Sequence, residues 1–145
     1  MKKTIAIGCD HAGFPLKNPI IDFLKKHDYE VLDFGTSSVA SVDYPDFAHP
    51  TAEAVASGKA ESGILICGTG NGVAMTANKH QDIRCGLCWE VEVASLVRRH
   101  NNANMIALPA RFVSEALALQ MVETFLTTDF EGGRHATRVG KMACV

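Results

Sequence analysis

Five short apolar runs, each followed by a stretch with helical spacing, leave this chain few folds to choose from. Residues 4–9, 30–34, 63–67, 84–88 and 104–108 read as strands, and 16–27, 47–57, 73–79, 90–100 and 113–127 as helices. In the last helix, Ala118, Met121, Val122 and Phe125 recur on one face. Apolar runs without polar alternation belong to a sheet covered on both faces. Successive β–α units make that sheet parallel, with right-handed crossovers. The expected fold is α/β: a three-layer α/β/α sandwich with a five-stranded parallel sheet, Rossmann-like, in one domain over residues 1–145. A chain of this length buries roughly 68–70% of its unfolded surface. Proline is tolerated in the first turn of a helix, so the first helix should begin between Pro15 and Pro19.

The composition argues against several classes. Net charge is −2 with no basic block, so neither nucleic acid nor a membrane surface is an expected partner. No apolar run approaches the ~18–20 residues of a membrane span. Met1-Lys2-Lys3 precedes an apolar stretch too short for a secretory signal, so a cytoplasmic location is expected. Five cysteines are an odd count in apolar or functional-looking settings, unlike a disulfide framework. Cys85 and Cys88 are spaced like half a zinc site. On a strand, residues three apart point to opposite faces, and no second pair exists; no metal is expected.

The chemistry concentrates in Ile64-Leu65-Ile66-Cys67-Gly68-Thr69-Gly70-Asn71-Gly72. A buried strand delivers a thiol to a glycine-rich turn that opens onto a helix N-terminus. Unpaired N–H groups and the helix dipole favour negative charge there. Alternating glycines let the backbone bend its N–H groups around an anion, and the same field favours the thiolate of Cys67.

Ligands of open parallel sheets bind at the carboxyl ends of the strands. There the chain places Asp10 and His11 after the first strand, a loop with Tyr44 after the second, Cys67 and its turn after the third, and Arg111 after the fifth. Singly, each has a plainer reading. Asp10 can cap a helix, His11 can be structural, and Arg111 can cover the sheet end. Beyond Gly132-Gly133, Arg134 and Arg138 share one face of what reads as a solvated terminal helix. Their concentration at one rim favours function for the first group.

Three uses of the glycine turn compete. Dinucleotide binding finds an acid, Glu90, about twenty residues on, but the third glycine of its fingerprint is replaced by Val73 or Met75. A cysteine phosphatase needs an arginine six residues after the nucleophile, where Val73 stands. General-base catalysis, with the turn holding an enediolate, needs only a thiolate, N–H donors and cations to position the substrate.

The chain resembles the ribose/galactose/allose phosphate isomerase family, in particular its type B ribose-5-phosphate isomerases. The matching segments are Ile7-Gly8-Cys9-Asp10-His11-Ala12-Gly13, Asp43-Tyr44-Pro45, residues 66–72, Ala77-Asn78-Lys79, Arg99-His100-Asn101 and Glu131-Gly132-Gly133-Arg134-His135 with Arg138. They span the chain in the family's order. The resemblance implies an aldose–ketose isomerase of ribose 5-phosphate and ribulose 5-phosphate, or of allose or galactose 6-phosphate, without cofactor. The different-class alternative is a non-catalytic sugar-phosphate or nucleotide-binding module. Cys67 matches the family's base, and no acid stands in Val73-Ala74-Met75, where many relatives carry a glutamate instead. His100 matches the residue that opens the sugar ring, with Thr69 as its helper. Gly68, Gly70, Asn71 and Gly72 match the enediolate cradle. Asp10, His11, Asn101 and Arg111 match ligand contacts, and Arg134 and Arg138 suit the phosphate.

The topology adds an expectation about assembly. Cys67 ends the third strand, whereas His100 and Asn101 end a helix that runs away from that rim. The tail follows another such helix. A shared site therefore needs a second subunit: a homodimer with two sites, or a tetramer of such dimers, binding a phosphorylated pentose or hexose.

Overall fold

The apolar runs form strands, and the order of the sheet explains why they carry no polar face. The computed structural model describes residues 2–144. In chain order it contains β1 (Thr4–Cys9), α1 (Phe14–Lys26), β2 (Glu30–Asp33), α2 (Pro45–Ala56), β3 (Ser62–Cys67), α3 (Asn71–Ala77), β4 (Cys85–Leu87), α4 (Val91–Arg99), β5 (Met105–Pro109), α5 (Glu115–Thr127) and α6 (Arg134–Gly140). The strands form one parallel sheet in the order β2-β1-β3-β5-β4.

Alternate residues of each central strand feed two separate cores. Ile5, Ile7, Cys9, Ile64, Ile66, Ile106 and Leu108 pack against α1, α4 and α5. Ala6, Leu65, Cys67, Met105 and Ala107 pack against α2 and α3. This is the expected three-layer sandwich. Cys85 belongs to one core and Cys88 to the other, as the strand geometry requires. No helix among the described residues is long and apolar enough to cross a membrane.

Strand bounds agree with the sequence reading to within about one or two residues, the usual fraying of element ends. The first helix departs from it. It begins at Phe14, with Pro15 in its first turn and Pro19 inside. The reason is packing: Leu16, Ile20, Ile21 and Leu24 are buried on one face, and this burial offsets the hydrogen bond that Pro19 cannot donate. The second helix likewise starts earlier than expected, at Pro45, and carries Pro50 within it.

Gly13 sits where α1 crosses the end of β3. A Cβ there would meet the backbone of Ile66, its carbonyl carbon at 2.7 Å. The second-strand end is fixed by a buried amine: Lys17, 2% exposed, donates to both Asp33 carboxylate oxygens (3.0 and 2.9 Å) and to the Thr36 carbonyl (2.7 Å). Each donor of that ammonium thus has an acceptor, which burial of a cation demands.

Candidate active site

Cys67 is the last residue of β3 and pairs with Pro109 of β5. Its side chain belongs to the α2/α3 side of the sheet and is 5% exposed. Beyond the strands, the Ala110 N–H donates to the Cys67 carbonyl (2.9 Å) and the Arg111 N–H to that of Gly68 (3.0 Å). These two bonds draw Arg111 across the glycine turn: a Cβ at Gly68 would stand 3.2 Å from its Nε.

Gly70 precedes α3 with φ +77°, and a Cβ there would collide with the Leu87 side chain. Both observations demand glycine. The Thr69 hydroxyl accepts the Asn71 N–H (3.2 Å), which holds the turn in shape. The Tyr44 ring lies over Gly72, where a Cβ would be 2.6 Å from its Cζ.

Asp10 lies beside this turn, its N–H donating to the Ile66 carbonyl (3.2 Å). Its Oδ1 accepts the N–H groups of Ala12 (3.0 Å) and Gly13 (2.9 Å), so one oxygen does serve the start of α1. His11 Nδ1 accepts the Val42 N–H (3.2 Å), tying the first turn to the loop before Tyr44. That bond leaves the proton of a neutral His11 ring on Nε2. Asp10, His11, Tyr44, Cys67, Gly68, Thr69, Gly70, Asn71, Gly72 and Arg111 thus occupy one rim, as the sequence predicted. Burial pushes the Cys9 thiol up to about 11 and the Cys88 thiol up to about 12. It also raises that of Cys85. Thiols so placed are packing groups, inert near neutral pH.

His100 and Asn101 lie at the other pole. Helix α4 leaves the rim after β4 and ends in a turn with Asn102 in the left-handed region, φ +48°. The N–H groups of Asn102 and Ala103 return to the carbonyls of Arg98 and Val97 (3.1 Å each), closing the helix end. The Arg98 guanidinium donates to the Ala103 carbonyl (2.7 Å), Asn102 Oδ1 (2.9 Å) and the Thr128 carbonyl (3.1 Å). It locks the turn bearing His100 to the segment after α5. Asn101 lines a cavity of about 410 Å³ with Ile83, Cys85, Val139 and Met142, next to the start of β4.

The tail gathers around His100. Glu131 donates its N–H to the Arg99 carbonyl (3.0 Å), and its Oε2 accepts from Arg99 Nε (2.6 Å). Its Oε1 stands 3.8 Å from Nε2 of both His100 and His135. The two imidazoles stack at 4.2 Å with 9° between their planes. The Arg99 hydrogen bond holds the Glu131 carboxyl below the usual carboxylate range. Loss of solvent, with His100 and Arg134 nearby, lowers the pKa of His135. Arg134 and Arg138 are exposed, one turn apart on α6. Sequence reasoning did not foresee that Glu131 and His135 meet His100. Their four-residue separation was the available signal, but nothing local says that the pair meets His100.

The predicted residues therefore form two groups within one chain. A thiol, a glycine turn and Arg111 stand at the carboxyl rim. An imidazole, an amide and two arginines stand at the opposite pole.

Comparison with known proteins points one way. Residues 5–142 match the family described as Ribose/Galactose Isomerase. Ribose-5-phosphate isomerase B of Escherichia coli is 45% identical over 99% of this chain and 96% of its own. The structure of ribose-5-phosphate isomerase B from Clostridium thermocellum superposes with TM-score 0.95 at 54% identity, covering 96% of this chain and 94% of that one. That of the Mycoplasma genitalium enzyme with bound ribulose 5-phosphate gives TM-score 0.93 at 42% identity, over 98% and 95% of the two chains.

Proposed function

The chain belongs to the Ribose/Galactose Isomerase family, and we propose on that footing that it interconverts ribose 5-phosphate and ribulose 5-phosphate through an enediolate. The observation that carries this reading is Cys67 at the mouth of the glycine turn that Arg111 crosses at Gly68. Isomerisation removes a weakly acidic proton from C2 of the open-chain aldose and returns one to C1. The electron pair moves into the C1–C2 bond, the carbonyl oxygen becomes an enediolate oxygen, and the O2 hydroxyl proton passes to O1 as C1 is protonated. Cys67 is the base. The N–H groups of the 68–72 turn, other than that of Asn71 which Thr69 takes, serve the oxyanion, where fixed donors are worth roughly 10²–10³-fold each. His100, helped by Thr69, opens the sugar ring. Asp10, His11, Asn101 and Arg111 hold the hydroxyls. We place the reaction in the cytoplasm, in the pentose phosphate pathway.

The two-pole geometry supports a homodimer in which each site combines Cys67 of one chain with His100, Asn101, Arg134 and Arg138 of the other, alone or paired into a tetramer. Two further features support it. Helix α6 fully buries none of its seven residues in its own chain, although His135 is mostly enclosed, and so short a helix gains little stability by itself. Phe112, Met75 and Trp89, on the segments that follow β5, β3 and β4, are 72%, 65% and 54% exposed. Apolar groups rimming a polar cleft suit a subunit interface.

The test is turnover of ribose 5-phosphate, allose 6-phosphate and galactose 6-phosphate without added metal, compared by kcat/KM. The pentose should lead; a hexose phosphate ahead of it, or no turnover of any, would overturn the assignment.

The phosphate does not react, and its binding energy serves to position C1 and C2. Each arginine that binds it contributes a charge-assisted bond of about 1.5–3 kcal/mol. Arg134→Ala with Arg138→Ala should therefore raise KM for the sugar phosphate by more than about tenfold, at near-native melting temperature because neither side chain is buried. An unchanged KM would mean that the two arginines only solvate the tail.

A further inference from the structure

Among the described residues, His100, Glu131 and His135 form a group whose ligand atoms, two imidazole nitrogens and a carboxylate oxygen, all lie within 4.8 Å of one another. We propose that this group binds one divalent d-block cation of the zinc, nickel or cobalt class, and that the bound ion inhibits the enzyme.

The distances are close to those of a coordination shell. Ligand atoms about 2.0–2.1 Å from a tetrahedral ion stand about 3.4 Å apart. Glu131 Oε1 is already 3.8 Å from each Nε2. The rings are nearly parallel, so their nitrogens must tip toward a common point. The side chain of His100, 38% exposed, has room to turn, while Arg99 holds Glu131 and His135, 13% exposed, is the most enclosed member. Three ligands leave a fourth position open to water or another donor.

The surroundings choose the class of metal. Arg99 holds the second carboxylate oxygen of Glu131 and orients the first. Arg99, Arg134 and Arg138 also make the neighbourhood positive, which opposes hard cations held by charge alone. Calcium takes about six to eight oxygen ligands and magnesium is held through oxygen donors and waters, whereas two of the three donors here are imidazole nitrogens. Imidazole-binding ions gain from the two nitrogens instead. A competing pair exists in His49 and His80, whose ring nitrogens are 2.8 Å apart. It supplies two ligands and no carboxylate.

Binding stands on this geometry alone. Inhibition rests also on the isomerase reading, because an ion on Nε2 removes the lone pair with which His100 would move a proton in ring opening. The experiment uses the chelator-treated full-length protein titrated with Co²⁺ and Zn²⁺, followed by calorimetry and absorption. One ion per subunit is expected, without sulfur-to-cobalt charge-transfer absorption. Replacing an outer-shell partner of a metal site typically costs 10–100-fold, so loss of a ligand in Glu131→Gln or His135→Asn should weaken binding by at least about tenfold. Cys67→Ser and His49→Asn should leave it unchanged. Co²⁺ should broaden the proton resonances of His100 and His135 before those of His11, His49 and His80, a readout that needs no variant. Zn²⁺ at the calorimetric stoichiometry should suppress turnover, and a chelator should restore it. A thiolate band, binding lost in His49→Asn, undiminished affinity in both ligand variants, or no binding would overturn the site. Binding as described without inhibition would remove the inhibitory role and question His100 as the ring-opening group, while leaving the metal site standing.

Discussion

Cys67→Ser is expected to lower kcat by about 10²–10⁴-fold, the range that a positioned base contributes, while binding of a phosphorylated, non-reacting sugar acid stays near normal. The two atoms are nearly isosteric, so the turn, its N–H groups and Arg111 should keep their places. What changes is acidity: a serine hydroxyl in the same position does not ionise near neutral pH, so it cannot take the C2 proton. Some loss of stability should accompany the change, because the site is 5% exposed and a buried hydroxyl without a partner costs about 1–3 kcal/mol. Activity is therefore compared well below the melting temperature of the variant. The informative pattern is kcat lost with affinity retained. Activity near that of the parent protein would remove Cys67 from the mechanism, and joint loss of affinity and turnover would indicate a collapsed turn instead.

The parts of this fold that could be read from the sequence are those set by neighbours in the chain. Fully buried parallel strands must be apolar throughout, so β1, β3 and β5 announce themselves. Cys67 stands out because it lies at the junction of such a strand with alternating glycines, and Gly70 adopts the left-handed conformation that this pattern invites. What escaped reading depends on distant partners. Pro19 inside α1 contradicts local propensity, and only the burial of Leu16, Ile20 and Leu24 against the sheet decides the matter. Lys17 looks like a solvated helix residue until Asp33 and Thr36 enclose it. Glu131 reaches Arg99, 32 residues away, and no spacing rule connects them.

The same limit applies to the two groups of predicted residues, and it leads to the last expected result. Helix α4 is nine residues long, about 14 Å, and it carries the chain from the rim to the opposite pole. Asn104 begins the return: its carbonyl accepts the N–H of Gly63 at the start of β3, whereas Cys67 ends that strand. A sugar phosphate bridging Cys67 and His100 of one chain would have to span the sheet from end to end. In the proposed two-fold dimer, the pole of one chain would meet the rim of the other, and each dimer would carry two sites. Mixing inactive Cys67→Ala with inactive His100→Ala subunits should then restore activity. Each heterodimer has one site with both residues intact and one with neither. At equal mixing and random exchange, half of the dimers are heterodimers with half the normal sites. Recovery should thus approach about a quarter of the activity of the parent protein. Subunit exchange is verified independently, by mass measurement of differently labelled chains. Exchange without recovered activity would mean that each site is completed within one chain, and that His100 reaches Cys67 by a rearrangement of α4 instead of from a partner.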